Sequence, residues 1–208
     1  MRTLPGLMLP ALMPAMVLTA CFSGLNSKVP AQQRYVLQPT LAVPAATEAT
    51  AGAVAPAAGS VLVMRPSAAP GLAGEGIAVL RPGARLDFYS NARWAADAPV
   101  ALQSLVIDAL RSAGRFATVE SDSGPFAAQY VLSLDIEHFE ADYPAQGPPT
   151  VRVALVCSLG RRSDRGVIVS FTARSEVRAE ADHMQAVMAA FEQATGEALS
   201  QVTANIVP

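Results

Sequence analysis

"YVLSLDIEHFE" (Tyr130–Glu140), "TVRVALVCSL" (Thr150–Leu159) and "GVIVSFTARSEVRA" (Gly166–Ala179) decide the fold. Each alternates apolar and polar residues. In the first, Tyr130, Leu132, Leu134 and Ile136 oppose Val131, Ser133, Asp135 and Glu137. In the second, the apolar set is Val151, Val153, Leu155, Cys157 and Leu159. In the third it is Val167, Val169, Phe171 and Ala173, continued more weakly by Ser175 and Val177. Successive side chains of a strand point to opposite faces, so a period of two predicts three long half-buried strands. The links "YPAQGPP" (143–149) and "RRSDRG" (161–166) are short, which makes the strands an antiparallel meander. The other face would carry Asp135, Glu137, Arg152, Thr172, Arg174, Glu176 and Arg178, a solvated face of cross-strand charge pairs.

A sheet with one apolar face needs cover, and two amphipathic helices supply it. "DAPVALQSLVIDALRSAG" (97–114) places Asp97 at the N-cap, Pro99 in the first turn and Gly114 after the last. Leu102, Leu105, Val106, Ala109 and Leu110 form its stripe. A longer helix is expected at about 182–204, with Met184, Val187, Met188, Phe191, Ala194, Ala198, Leu199 and Val202 facing inward. The rest adds short strands: Tyr35–Gln38, "SVLVMRP" (60–66), a hairpin of Ile77–Leu80 and Leu86–Tyr89 turning at Arg81-Pro82-Gly83-Ala84, and "RFATVE" (115–120). The expected architecture is a two-layer α+β domain over 59–208. Its sheet is mostly antiparallel, built on the meander, with both helices on one face. The order is β-β-β-β-α-β-β-β-β-α.

The first twenty residues, "MRTLPGLMLPALMPAMVLTA", have one arginine and then an apolar run ending in small residues, a secretory signal pattern. Pro5, Pro10 and Pro14 argue against a spanning helix, which needs roughly 20 uninterrupted apolar residues. Leu18-Thr19-Ala20-Cys21 closes the run and resembles the bacterial lipobox, whose cysteine carries the lipid once the signal is removed. Small residues before the cysteine let a peptidase reach the backbone. Three acyl chains anchor a protein stably where one does not. A disulfide between Cys21 and Cys157, the two cysteines of the chain, is the competing reading. Lipidation would leave Cys157 as a free, buried thiol. Phe22 follows the cysteine in place of an aspartate, which points to the outer membrane. Residues 21–58 read as the lipidated N-terminus and tether. The Ala/Pro-rich stretch 39–60, which runs to the start of the domain, has Glu48 as its single charge.

The 208 residues carry 15 cations and 17 anions, and no basic excess points to nucleic acid. Lys28 is the single lysine, and the preference for arginine reads as compositional bias. No reactive constellation emerges. Glu137, His138, Glu140 and Asp142 are the local metal-ligand candidates, but neighbours on a strand face opposite ways. Asp135 with Glu137 imitates a carboxylate pair, yet basic neighbours across the strands explain them more simply. "GLAGEG" (71–76) reads as a turn, and mid-strand Cys157 has no nearby base. Trp94 reads as an anchor for helix-on-sheet packing. No metal, cofactor or catalytic residue is assigned.

The order of these pieces resembles the ABC-type transport auxiliary lipoproteins, the PqiC-like family. The lipobox is followed by "RYVLQP", "GIAVLRPGARLDFYSNARWA", "LQSLVIDALRSAGRFATV", "YVLSLDIEHFEADY" and "MQAVMAAFEQATGEAL". The resemblance covers about 34–204, with a long Ala/Pro insertion at 39–58 as the departure. It implies a non-catalytic, lipid-anchored periplasmic partner of an MCE-domain protein and its ABC permease and ATPase. Such a partner would dock lipid-transport machinery at the outer membrane, with homo-oligomerisation left open. An envelope assembly lipoprotein and a lipid-anchored hydrolase are the alternatives. The polar sheet face and the 142–149 and 160–166 loops are the candidate docking surfaces.

Overall fold

The computed structural model describes residues 31–40, 58–125 and 127–206. The signal at 1–20, the lipobox with Cys21, and most of the Ala/Pro-rich tract lie outside the described residues. The elements are β1 (Gln33–Tyr35), β2 (Ala58–Val63), β3 (Ser67–Ala68), β4 (Gly76–Arg81), β5 (Arg85–Trp94), α1 (Ala98–Ala113), β6 (Phe116–Ser121), β7 (Tyr130–Asp142), β8 (Thr150–Arg161), β9 (Val167–Arg178) and α2 (Met184–Asn205).

β7 organises the sheet. One edge pairs with β8 along its whole length, and β8 pairs with β9, both antiparallel: the expected meander. The other edge is shared in series by three short strands, each parallel to it. β2 takes Tyr130–Leu132, β3 takes Asp135 and Ile136, and β4 takes Glu140–Asp142. β6 adds outside β2; β5 adds outside β4 as the expected hairpin; β1 adds outside β5. The long ladders are antiparallel and the short ones, the hairpin apart, parallel. β1 therefore joins the sheet, two residues ahead of the expected Tyr35–Gln38. β3 is a further strand that the sequence reading did not separate from its neighbours.

The two helices touch each other and share one hydrophobic core with the sheet; α1 covers β2 and β6, and α2 covers β8 and β9. Leu102, Val106, Ala109 and Leu110 of the expected α1 stripe are buried, while Leu105 is half-buried and Ile107 takes its place inside. Gly114 closes the helix at φ 63°, in the left-handed region that suits glycine. Asp97 stands at the N-cap without capping through its side chain; its carboxylate pairs instead with Arg65 at 3.3 Å. His183 caps α2, its Nδ1 accepting from the Ala186 N–H at 3.2 Å. Trp94 ends β5 only 2% exposed, its ring 5.3 Å from Phe139 of β7 and 5.2 Å from Phe191 of α2. That places it where helix meets sheet, as its expected anchoring role requires.

A strap follows β1. Leu37 enters the core, the Gln38 N–H donates to Glu192 of α2 at 3.4 Å, and Thr40 passes over Gly196. A Cβ on Gly196 would stand 2.7 Å from the Thr40 carbonyl oxygen, so the crossing requires glycine there. At the opposite edge, the Gln201 side chain of α2 accepts from the Arg174 N–H at 3.0 Å and donates to its carbonyl at 2.7 Å. The amide thus occupies part of the β9 edge as a neighbouring strand would.

Candidate functional site

The polar face of the meander holds the charges that the sequence placed there, arranged by a break in the period. Between Ile136 and His138 the pairing of β7 with β8 slips by one residue. Before the break the even residues Leu132, Leu134 and Ile136 are buried; after it the odd residues Phe139 and Ala141 are. Uninterrupted alternation would drive His138 and Glu140 into the core. The bulge turns them to the polar face.

Arg152 of β8 stands at the centre of the resulting cluster. Its guanidinium lies 3.4 Å from Glu176, 3.6 Å from Asp142 and 3.9 Å from Glu140. Glu140 is 4% exposed. One of its oxygens lies 2.7 Å from His138 Nδ1, and the other accepts from the Phe139 N–H at 2.7 Å. A carboxyl group this enclosed needs hydrogen-bond partners, and the Phe139 N–H and the His138 ring supply them. Glu137 is separate, paired with Arg174 at 3.6 Å, and Asp135 accepts from Ser67 Oγ at 2.9 Å. The four metal-ligand candidates are thus split. His138, Glu140 and Asp142 gather around an arginine, and Glu137 turns elsewhere. Among the described residues, no three metal-ligating side chains gather into a site.

A second polar chain lies beside the core. The Tyr89 and Tyr143 hydroxyls meet at 2.8 Å, and Tyr143 donates to Asp182 at 2.7 Å, with Arg81 stacked 5.1 Å from the Tyr143 ring. Burial, reinforced by the Tyr143 bond, raises the Tyr89 pKa far above the usual phenol value. The chain ties β5, the loop after β7 and the approach to α2 together. The sequence reading missed it, since three residues so far apart in the chain carry no local signal.

Cys157 is fully buried and free, and burial pushes its thiol up to about 12. A nucleophile needs the thiolate, which this site suppresses. "GLAGEG" forms the turn into β4, with Gly71 at φ 90°. The 161–166 turn is strongly basic. Asp164 binds Arg161 at 3.0 Å and the Gly166 N–H at 3.0 Å, and the backbone bond, more than the arginine, holds its carboxyl below the usual range.

This is an α+β domain with two helices on one face of a long-stranded sheet and a face of interlocked charges on the other. The chain belongs to the ABC-type transport auxiliary lipoprotein component family, whose sequence model matches residues 35–206. It is similar to a protein of Xanthomonas campestris of known crystal structure, at 29% identity and a TM-score of 0.68, over 82% of this chain and 92% of that one. An uncharacterized protein shares the fold at 14% identity and a TM-score of 0.61, over 84% of this chain and 95% of the other. PelC from Paraburkholderia phytofirmans, a dodecamer, aligns at 20% identity and a TM-score of 0.45, over 73% of this chain and 93% of its own. No curated protein matches the chain.

Proposed function

We propose that the protein is the lipid-anchored auxiliary subunit of an MCE-type lipid transport system. It is held by acyl chains on Cys21 at the outer membrane and docks the periplasmic machinery there without chemistry of its own. The observation that carries this reading is the family match over 35–206, preceded in the same chain by Leu18-Thr19-Ala20-Cys21. The charged face supports it. Arg152, Glu140, Asp142 and Glu176 hold one another in place, so their groups are fixed for contact with a partner. The ATP chemistry belongs to the permease–ATPase partner.

Purification of the full chain from membranes in a mild detergent tests this. An MCE-domain protein and its ABC partners are expected in the eluate, identified by mass spectrometry. Recovery of outer-membrane or lipopolysaccharide assembly factors in their place, or of the chain alone, would overturn the proposal.

A further inference from the structure

The sheet is hollow beneath the basic turn. Ser133 of β7 pairs with Ser158 of β8, and one step on Val131 pairs with Gly160. Leu132 and Leu159 are fully buried, so these four neighbours lie on the polar face. Gly160 contributes no side chain, and a depression of about 390 Å³ opens around it. Val131, Ser133, Ser158, Arg161, Arg162 and Arg165 line it, with Val167, which was expected on the apolar face but is 70% exposed because the pairing of β8 with β9 slips between Leu159 and Gly160.

The turn is held firmly. Asp164 fixes Arg161 and the Gly166 N–H; the Arg161 N–H donates to the Gly166 carbonyl at 2.9 Å, and the Arg162 N–H to that of Gln129 at 2.9 Å. Its one carboxylate is thereby spent on Arg161. Neither Arg162 nor Arg165 has a carboxylate partner among the described residues. Arg165 sits at φ 57°, a strained position for a side chain of its size. A general preference for arginine over lysine scatters arginines through a chain. It does not gather three around one glycine-floored hollow.

We propose that this cup binds the phosphodiester of a glycerophospholipid headgroup. The guanidinium forks of Arg162 and Arg165 match phosphate oxygens bidentately, and the Ser133 hydroxyl donates to one that remains, as does that of Ser158 when it accepts from Ser170 Oγ at 2.9 Å. The valines flank the glycerol side. The proposal shares with the preceding reading only the setting of a membrane-bound protein, and its test is separate.

The full chain in non-ionic detergent is titrated calorimetrically with phosphatidylglycerol in mixed micelles, with water-soluble glycerophosphoglycerol and with inorganic phosphate. Ionic strength is matched throughout with sodium chloride. Two variants are compared: R162A/R165A removes the free cations, and Gly160→Leu fills the hollow while keeping every charge. Circular dichroism confirms that each is folded. Phosphatidylglycerol and glycerophosphoglycerol are expected to bind the native chain, and each variant to lose affinity about tenfold or more, as lost charge-assisted hydrogen bonds would require. Unchanged affinity in R162A/R165A overturns the proposal. So does a loss confined to that variant, which would mean diffuse attraction and not a cup. Binding of inorganic phosphate with none of either headgroup would make this a free-phosphate site and also overturn it. Recovery of the MCE partner is a different readout, and its failure would leave this result unaffected.

Discussion

Cys157 sits mid-strand in β8, with no water to solvate a thiolate. Its folded pKa of about 12 compares with about 9 for the unfolded thiol. The raised value contributes stability that is complete below about pH 9 and is lost as pH climbs towards 12, where only the unfolded chain ionises readily. Urea midpoints are therefore expected to hold level up to about pH 9 and then fall. Cys157→Ala should start from a lower midpoint and fall less between pH 9 and 11; parallel slopes would refute the assignment. Tyr89 adds a decline of its own above about pH 10, common to both proteins. The fate of Cys157 was legible from its strong apolar alternation, and that of Trp94 from a large ring set just before a helix N-terminus. The enclosure of Glu140 was not: alternation alone sends it to the core. The three-residue step from Ile136 to Phe139 was the available signal of a bulge.

Among the elements, α2 and the strap depend on one position. Alanine in place of a mid-helix glycine ordinarily adds about 1 kcal/mol of helix stability. At Gly196 the added methyl would meet the Thr40 backbone at 2.7 Å, and a backbone cannot swing aside as a long side chain does. Gly196→Ala is expected to lower the melting temperature despite its propensity gain, with the strap displaced and Leu37 uncovered. Trypsin should then cut at Arg34 faster than in the native chain. A variant that melts at or above the native temperature would show that the crossing contributes nothing. The meander and the ends of α1 were readable because their signals are local: alternation, a proline, a glycine. The sharing of one β7 edge among β2, β3 and β4 was not. It is parallel pairing between distant segments, and nothing within a short window specifies it.

At the scale of the whole molecule, the anchor and the domain make separate predictions. If Cys21 is acylated, radiolabelled palmitate should enter the native protein and not Cys21→Ser, which should leave the membrane fraction. Equal labelling of the two would remove the membrane from the account and leave the folded domain as described. The topology has a further consequence, for when this chain becomes a structure. Val61 meets Tyr130, Ser67 meets Asp135 and Ala78 meets Glu140, each across more than sixty residues of intervening chain. Pairings so distant in sequence raise the contact order and slow folding. Strands β2, β3 and β4 have no central strand to join until β7 has emerged from the ribosome. The sheet therefore cannot be completed until β7 has been made, well into the second half of the chain.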